Sequence, residues 1–285
     1  MSKARIVKGV GGNYIILADG ELVKGRLRGK LRKSKVRPAV GDFVDLSIDP
    51  EGNTMIEKIL PRKNALLRPI IANVDCAIII FALKSPDPHL NLLDRFLVMS
   101  AVRGIDAIIC LNKGDLVSDA ATEEMAVLYR NAGYQVLVTS AKSETGIDEL
   151  REVLRDRISV FAGPSGVGKS SLLNAVQDGL ALRTGEVSEK TQRGKHTTRH
   201  TELLLLKNGG AVADTPGFSA LDLASLDAHD IQLGYPEMIE LAGSCRFNDC
   251  LHRTEPGCAV RGVIDPIRYE NYLLLLDETM NKRRY

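Results

Sequence analysis

Apolar and polar positions change their period twice along the chain. Residues 5–10, 14–18, 21–28, 42–48 and 54–60 are short strand-like runs, parted by Gly11-Gly12-Asn13, Asp19-Gly20, Pro38, Gly41 and Asp49-Pro50-Glu51-Gly52. Five strands in so short a length predict a small closed barrel of the OB type, although an SH3-like barrel would give nearly the same pattern. Residues 61–69 read as a linker. From residue 71 strands and helices alternate: a buried strand over 74–83, a helix over 90–102 (Leu90, Leu93, Phe96, Leu97) and a buried strand over 106–111. A helix at 120–130, a strand at 135–139, a helix at 147–155 and a strand at 158–162 follow. That alternation predicts an α/β domain with a mainly parallel sheet covered on both faces. The third region, mostly helical, has amphipathic segments at 231–241 and 266–280. The expected domains are 1–70, 71–220 and 221–285.

Composition narrows the class. The chain has 285 residues, 44% hydrophobic and 26% charged, and a net charge of only +2, so any nucleic-acid surface must be a local patch. No basic-then-apolar leader opens it, and the longest apolar run, 76–83, is too short to span a bilayer. Five cysteines do not suggest a secreted disulfide framework. A cytoplasmic, monomeric protein with no membrane partner is expected. Cys76 and Cys110 fall within strands as core thiols.

The chemistry centres on Gly163-Pro164-Ser165-Gly166-Val167-Gly168-Lys169-Ser170, which fits G-x-x-x-x-G-K-[ST] between a predicted strand and the helical run that opens at Ser171. Its glycines let successive N–H groups turn toward phosphate oxygens at a helix start. Lys169 would reach the β/γ-phosphates, and the Ser170 hydroxyl would take one position on Mg²⁺. Asn112-Lys113-Gly114-Asp115 directly follows a strand, at the ligand-binding edge of such a sheet. A carboxylate at 115 can accept from guanine N1–H and the 2-amino group, donors that adenine lacks in that arrangement. Ser140-Ala141-Lys142, after the next strand, would supply a backbone N–H to guanine O6.

Between the helix after the phosphate loop and residue 201 lies a polar stretch holding Lys195-His196-Thr197-Thr198-Arg199. Thr198 is the favoured second ligand for Mg²⁺. Asp214-Thr215-Pro216-Gly217 follows, with Asp214 toward Mg²⁺ and the Gly217 N–H toward the γ-phosphate. Where many GTPases carry a glutamine that orients the attacking water, this chain has Phe218, so intrinsic turnover should be slow. His196 is the nearest replacement; the competing assignment is an exposed loop residue or an RNA contact. The base motifs precede the phosphate loop and D-T-P-G comes last, the order of a circular permutation. The second switch therefore runs directly into the final 65 or so residues.

Two further clusters stand out. Arg26, Arg28, Lys30, Arg32, Lys33, Lys35 and Arg37 form a basic run with no acid before Asp42, suited to the backbone of structured RNA or to plain solvation. Cys245, Cys250, His252 and Cys258 are the ligand types and number of a closed, structural tetrahedral Zn²⁺ site.

These motifs, with Pro61-Arg62-Lys63-Asn64, Ser171, and the stretch from Cys245-Arg246-Phe247 to Pro256-Gly257-Cys258, make the chain resemble the RsgA (YjeQ/YloQ) family of circularly permuted GTPases. The resemblance covers essentially the whole chain. It implies an N-terminal OB barrel, a central GTPase and a zinc-binding C-terminal region. It further implies late maturation of the small ribosomal subunit, rRNA contacts, and GTP hydrolysis stimulated by the ribosomal particle. Lys195 stands where that family often has arginine, and Arg199 where threonine is common. Two rivals are a nucleotide-gated RNA-binding scaffold with incidental hydrolysis and a P-loop nucleotide kinase, whose loop G-P-S-G-x-G-K-S also resembles this one.

Overall fold

The computed structural model describes residues 4–32, 37–67, 70–177, 202–213 and 226–282. Strands β1 Ala4–Val10, β2 Asn13–Ala18, β3 Glu21–Leu27, β4 Phe43–Ile48 and β5 Thr54–Ile59 close into a barrel of order β1-β2-β3-β5-β4. β3 runs parallel to β5, and β1 closes antiparallel on β4, with Ala4 opposite Val44. This five-stranded closure is that of the OB type, which the strand pattern alone did not separate from the SH3-like alternative. Alternation puts Ile6, Ile16, Leu27, Val44 and Ile56 inside.

Residues 61–69 are more than a linker. β6 Ala65–Leu67 pairs antiparallel with β7 Ile70–Ala72, and Arg62 grips the fully buried Asp42 through Nε–Oδ1 at 2.7 Å and Nη2–Oδ2 at 2.8 Å. The Asn64 side chain bonds the Val74 backbone at both its N–H (2.9 Å) and its carbonyl (2.8 Å). Strands of three residues are too short to show a period in the sequence.

The remaining strands among the described residues are β8 Cys76–Ala82, β9 Asp106–Asn112, β10 Gln135–Val138, β11 Ile158–Ala162, β12 Leu203–Leu205 and β13 Ala211–Ala213. Their order is β10-β9-β8-β11-β13-β12. β9 with β10 and β11 with β13 are parallel, while β12 is antiparallel to β13. All seven residues of β8 are buried, which is why it reads as a continuous apolar run. Cys76 and Cys110 are core thiols as expected. Among the described residues the helices are α1 Gly29–Arg32, α2 Leu90–Ala101, α3 Asp119–Asn131, α4 Ile147–Leu154, α5 Lys169–Val176, α6 Ala228–Gln232, α7 Pro236–Ala242 and α8 Pro266–Lys282. The amphipathic stretch 231–241 is thus two elements, because Pro236 cannot continue a helix and instead opens α7.

The chain divides into two compact units, one from the described parts of 1–76, 151–161 and 177–217, the other from those of 77–150, 162–176 and 218–285. In the second unit the tail packs on α2, with Tyr235, Met238, Val260, Tyr272, Leu275 and Leu276 against Val98 and Met99. At the centre of this packing lies Arg268, fully buried. Its guanidinium pairs with the equally buried Asp94 of α2 and with Glu237 of α7 (Nε–Oε1 2.8 Å), and donates to Gly234 O at 3.0 Å. Three tyrosine rings surround it, Tyr235 at 4.2 Å, Tyr129 at 5.3 Å and Tyr134 at 5.8 Å from ring centroid to guanidinium carbon. Asp94 also accepts from Tyr129 Oη (3.1 Å) and Asn271 Nδ2 (2.8 Å). Burial pushes its carboxyl above the ordinary range, while the guanidinium pulls the other way.

Candidate functional site

The phosphate loop leaves β11 at Gly163 and enters α5 at Lys169. Two of its glycines have no substitute. A Cβ at Gly163 (φ +143°) would lie 2.0 Å from Ile80 O, and one at Gly168 (φ +94°) 2.4 Å from Asn112 Nδ2. Lys169 turns back over the loop, its Nζ donating to Gly163 O at 3.0 Å and Pro164 O at 2.6 Å. Val167 is buried, whereas Ser165, Gly166, Ser170 and Ser171 are exposed. A loop bent by positive-φ glycines at 163, 166 and 168, with one cation folded across it at a helix start, is an arrangement for gripping polyphosphate.

The last residue of β9 and those that follow it are tied to that loop by hydrogen bonds. Asn112 is buried; its Nδ2 donates to Val167 O at 2.8 Å and its Oδ1 accepts from Thr139 Oγ1 at 3.2 Å. Lys113 adopts a left-handed conformation (φ +62°) that turns its Nζ onto Gly166 O (2.8 Å) and Ser85 O. Gly114 N donates to Thr139 O at 3.1 Å, and Asp115 follows on the same short turn. The Asp115 carboxylate is held by Ser140 Oγ at 2.6 Å, and that hydroxyl in turn accepts from Ser143 N at 3.2 Å. The Ser140 amide itself donates to Thr145 O at 3.0 Å. Within Ser140-Ala141-Lys142 the serine therefore orients the carboxylate, and the amides left to meet a ligand are those of Ala141 and Lys142. Thr139 positions Asn112, and its only signal in the sequence is its place at the end of a strand.

The tail brings its four candidate ligands together. One ligand atom from each of Cys245, Cys250, His252 and Cys258 lies within 4.8 Å of every other. His252 Nδ1 is 3.6 Å from Cys245 Sγ and 3.5 Å from Cys258 Sγ. Backbone amides face the sulfurs, Ala259 N at 3.3 Å from Cys245 Sγ and Arg261 N at 3.4 Å from Cys258 Sγ. Burial holds the His252 imidazole below its ordinary range, the neutral form that ligation requires. Burial also pushes the Cys250 thiol up to about 12, so a thiolate there depends on a cation beside it. Around the cluster, the Glu255 carboxylate gathers the Leu251, Arg253 and Thr254 amides, and Tyr269 and Tyr272 of α8 donate to His252 O (2.7 Å) and Leu251 O (2.8 Å). Three sulfurs and one imidazole converging from one short loop can hold a metal ion with no position left for water.

The RsgA GTPase family description matches residues 59–224, and the RsgA N-terminal domain description matches residues 3–56. The chain belongs to the RsgA family of GTPases. A small ribosomal subunit biogenesis GTPase RsgA from Moorella thermoacetica is 48% identical over 284 residues, with 98% of each chain covered. One of the same name from Agathobacter rectalis is 43% identical over 301 residues, with 99% of each covered. Among solved structures, YloQ, described as a circularly permuted GTPase, matches with a TM-score of 0.84 and 35% identity over 99% of this chain and 96% of that one. YjeQ from Thermotoga maritima gives 0.83 and 34%, with 98% of each covered. The permuted order in which Asn112–Asp115 and Ser140–Lys142 precede the phosphate loop is thus the order of an RsgA chain.

Several RsgA-type candidates fall elsewhere. Lys195, His196, Thr198, Arg199, Asp214, Thr215, Pro216, Gly217 and Phe218 lie outside the described residues, as do Lys33 and Lys35. The basic run is not one free loop: Arg26 belongs to β3, and residues 29–32 make the short helix α1. Its charge is also less bare than the local sequence implies. Arg28 pairs with Glu57 of β5, and Arg26 Nε donates to Asn13 Oδ1 at 3.0 Å. That acid is out of sight in the sequence because the β3–β5 pairing is long-range. The Lys30 and Arg32 backbones belong to α1, and Arg37 is exposed with its carbonyl accepting from Arg62.

Proposed function

We propose that the chain is a GTPase that binds immature small-subunit rRNA and hydrolyses GTP to GDP and phosphate late in small ribosomal subunit maturation, its turnover stimulated by the ribosomal particle. The observation that carries the nucleotide half is the clamp in which Ser140 aims Asp115 while Asn112 and Lys113 hold the same turn to Val167 and Gly166. A purine contact and a phosphate grip are thereby fixed relative to one another, as catalysis by positioning requires. The relatives' names support the ribosomal half. Asn112, Lys113, Gly114, Asp115, Ala141 and Lys142 form the guanine side, and residues 163–171 the phosphate side. Ser170, in the first turn of α5, is the described candidate for Mg²⁺, with Thr198 and Asp214 as further ligands; bound magnesium supplies charge neutralisation on the phosphates. Lys169, Gly217 and His196 act on the γ-phosphate and its attacking water. The barrel and residues 26–37 face rRNA, the domains run 1–70, 71–220 and 221–285, and the protein works as a cytoplasmic monomer.

Turnover of GTP measured with and without purified small ribosomal subunits tests the whole reading. A slow intrinsic rate that rises at least tenfold with the particles is expected. An identical rate in both, or ATP cleaved as fast as GTP, would end it.

The metal is Zn²⁺ and structural in this reading, since thiolate-rich closed sites of this composition suit it. A chelator strong enough to strip zinc should make the 226–282 region protease-sensitive and release one zinc per chain, with recovery on adding Zn²⁺ back. Full resistance after complete stripping would show that the cluster needs no metal.

A further inference from the structure

The outer edge of the sheet does not stop at β12. Glu202, which leads into that strand, forms an antiparallel bridge with Lys8 of β1, and Lys8 Nζ lies 2.6 Å from Glu202 Oε2. Both residues belong to the first unit. The approach depends on a bulge in β1: Ile6 is opposite Ile16, yet Lys8 is opposite Ile15, so one extra residue is taken up between them. Without it, Lys8 would share the inward face with Ile6. With it, Lys8 joins the outer row Lys8–Ile15–Lys24, in which Ile15 is opposite both lysines. Lys24 in that row is exposed, and Arg26 beside it is exposed as well. Lys8 therefore serves two surfaces, the cationic outer face of the barrel and the edge strand of the sheet.

From Glu202 the path inward is short. Leu203 is opposite Ala213, the residue immediately before Asp214, and Ala213 is opposite Val160 of β11, which leads to Gly163. The side chains of the pair are about one-third exposed, 34% for Lys8 and 29% for Glu202, so a phosphate on the barrel face can reach the ammonium. A phosphate and the Glu202 carboxylate compete for one cation, and the winner decides whether the side-chain half of the contact between β12 and the barrel is made.

We propose that Lys8–Glu202 is an exchangeable brace: RNA backbone laid on the outer barrel face takes Lys8 from Glu202, loosens the outer end of β12, and so, through β13 and the β11 strand that leads to Gly163, raises GTP turnover. This rests on the reading of the chain as an RNA-stimulated GTPase. Lys8 and Glu202 act through the hairpin as positioning residues.

The test uses the full chain, with Glu202→Gln and Lys8→Gln compared to wild type in GTP turnover, with and without purified small ribosomal subunits, and in affinity for the particles. Partly exposed pairs add little to stability, so equal Tm values should verify that both variants fold. Both should raise unstimulated turnover several-fold and shrink the fold-increase that particles produce. Affinity separates them, since Glu202→Gln leaves Lys8 free and should bind particles more tightly, whereas Lys8→Gln should bind more weakly. Variants that keep the wild-type unstimulated rate and fold-increase overturn the brace. A wild-type chain insensitive to particles would instead remove the functional reading, and the unstimulated rates would still decide whether the brace exists. Should either variant fail to fold, Glu202→Asp, which shortens the reach but keeps the charge, is expected to give an intermediate rate; a wild-type rate there counts against the proposal.

Discussion

Arg268→Ala is expected to destabilise the second unit by about 3–5 kcal/mol, because it leaves the Asp94 carboxylate buried without its cation. In thermal unfolding this corresponds to a Tm lower by roughly 10 °C. The loss is larger than packing alone would give, since the side chain holds two carboxylates and the Gly234 carbonyl and lies against three tyrosine rings. Removing both charges together, Arg268→Met with Asp94→Asn, should recover much of the stability, for an apolar replacement of a whole buried pair is far less costly than half of one. The variant also acquires a distinctive pH response. Burial already pushes Asp94 up, and without the guanidinium nothing charged pulls it back. An acid whose folded pKa exceeds its unfolded one stabilises the fold most below the unfolded value, and that contribution disappears as pH rises toward the folded value. Arg268→Ala should therefore be closer to wild type at pH 4–5 than at pH 8. Equal deficits at both would show that Asp94 stays charged in the variant.

Asp115→Asn should cost about 2–5 kcal/mol in GTP binding, a loss of roughly 30-fold or more in affinity. The exchange replaces an acceptor facing two guanine donors with a side chain whose NH₂ meets one of them head-on. Xanthosine triphosphate, which carries a carbonyl where guanine has its amino group, should regain affinity in the variant. Ser140→Ala, which removes only the hydroxyl that aims the carboxylate, should weaken GTP binding less, by about 1 kcal/mol. Calorimetry with GTP, ATP and xanthosine triphosphate distinguishes these cases. An Asp115→Asn chain that binds GTP like wild type would dismiss the carboxylate as the purine reader.

How far the sequence carried the structure depended on how local each feature was. The seven buried residues of β8 and the loop from Gly163 to Ser170 are contiguous, so pattern and motif placed them directly. Asp115 was identifiable from its motif, but the hydroxyl that holds it comes from the end of a neighbouring strand 25 residues away. The Arg28–Glu57 pair was hidden for the same reason, since it depends on which strands of the barrel are neighbours. Arg268 and Asp94 left a fainter trace. Asp94 lies four residues from Leu90 and three from Leu97, on the apolar side of α2, and Arg268 shares a stripe with Tyr272, Leu275 and Thr279. A charge on an apolar face at helical spacing signals a buried partner, though it does not say which one.

The partners Arg268 and Asp94 stand 174 positions apart in the chain. During synthesis the carboxylate therefore emerges long before the guanidinium that neutralises it. The residues made between them must wait with α2 unfinished, its acid hydrated or protonated, until Arg268 has emerged. The second unit is consequently unable to complete itself one piece at a time from the N-terminus, and a stalled ribosome would present an unfinished nucleotide-binding half to chaperones.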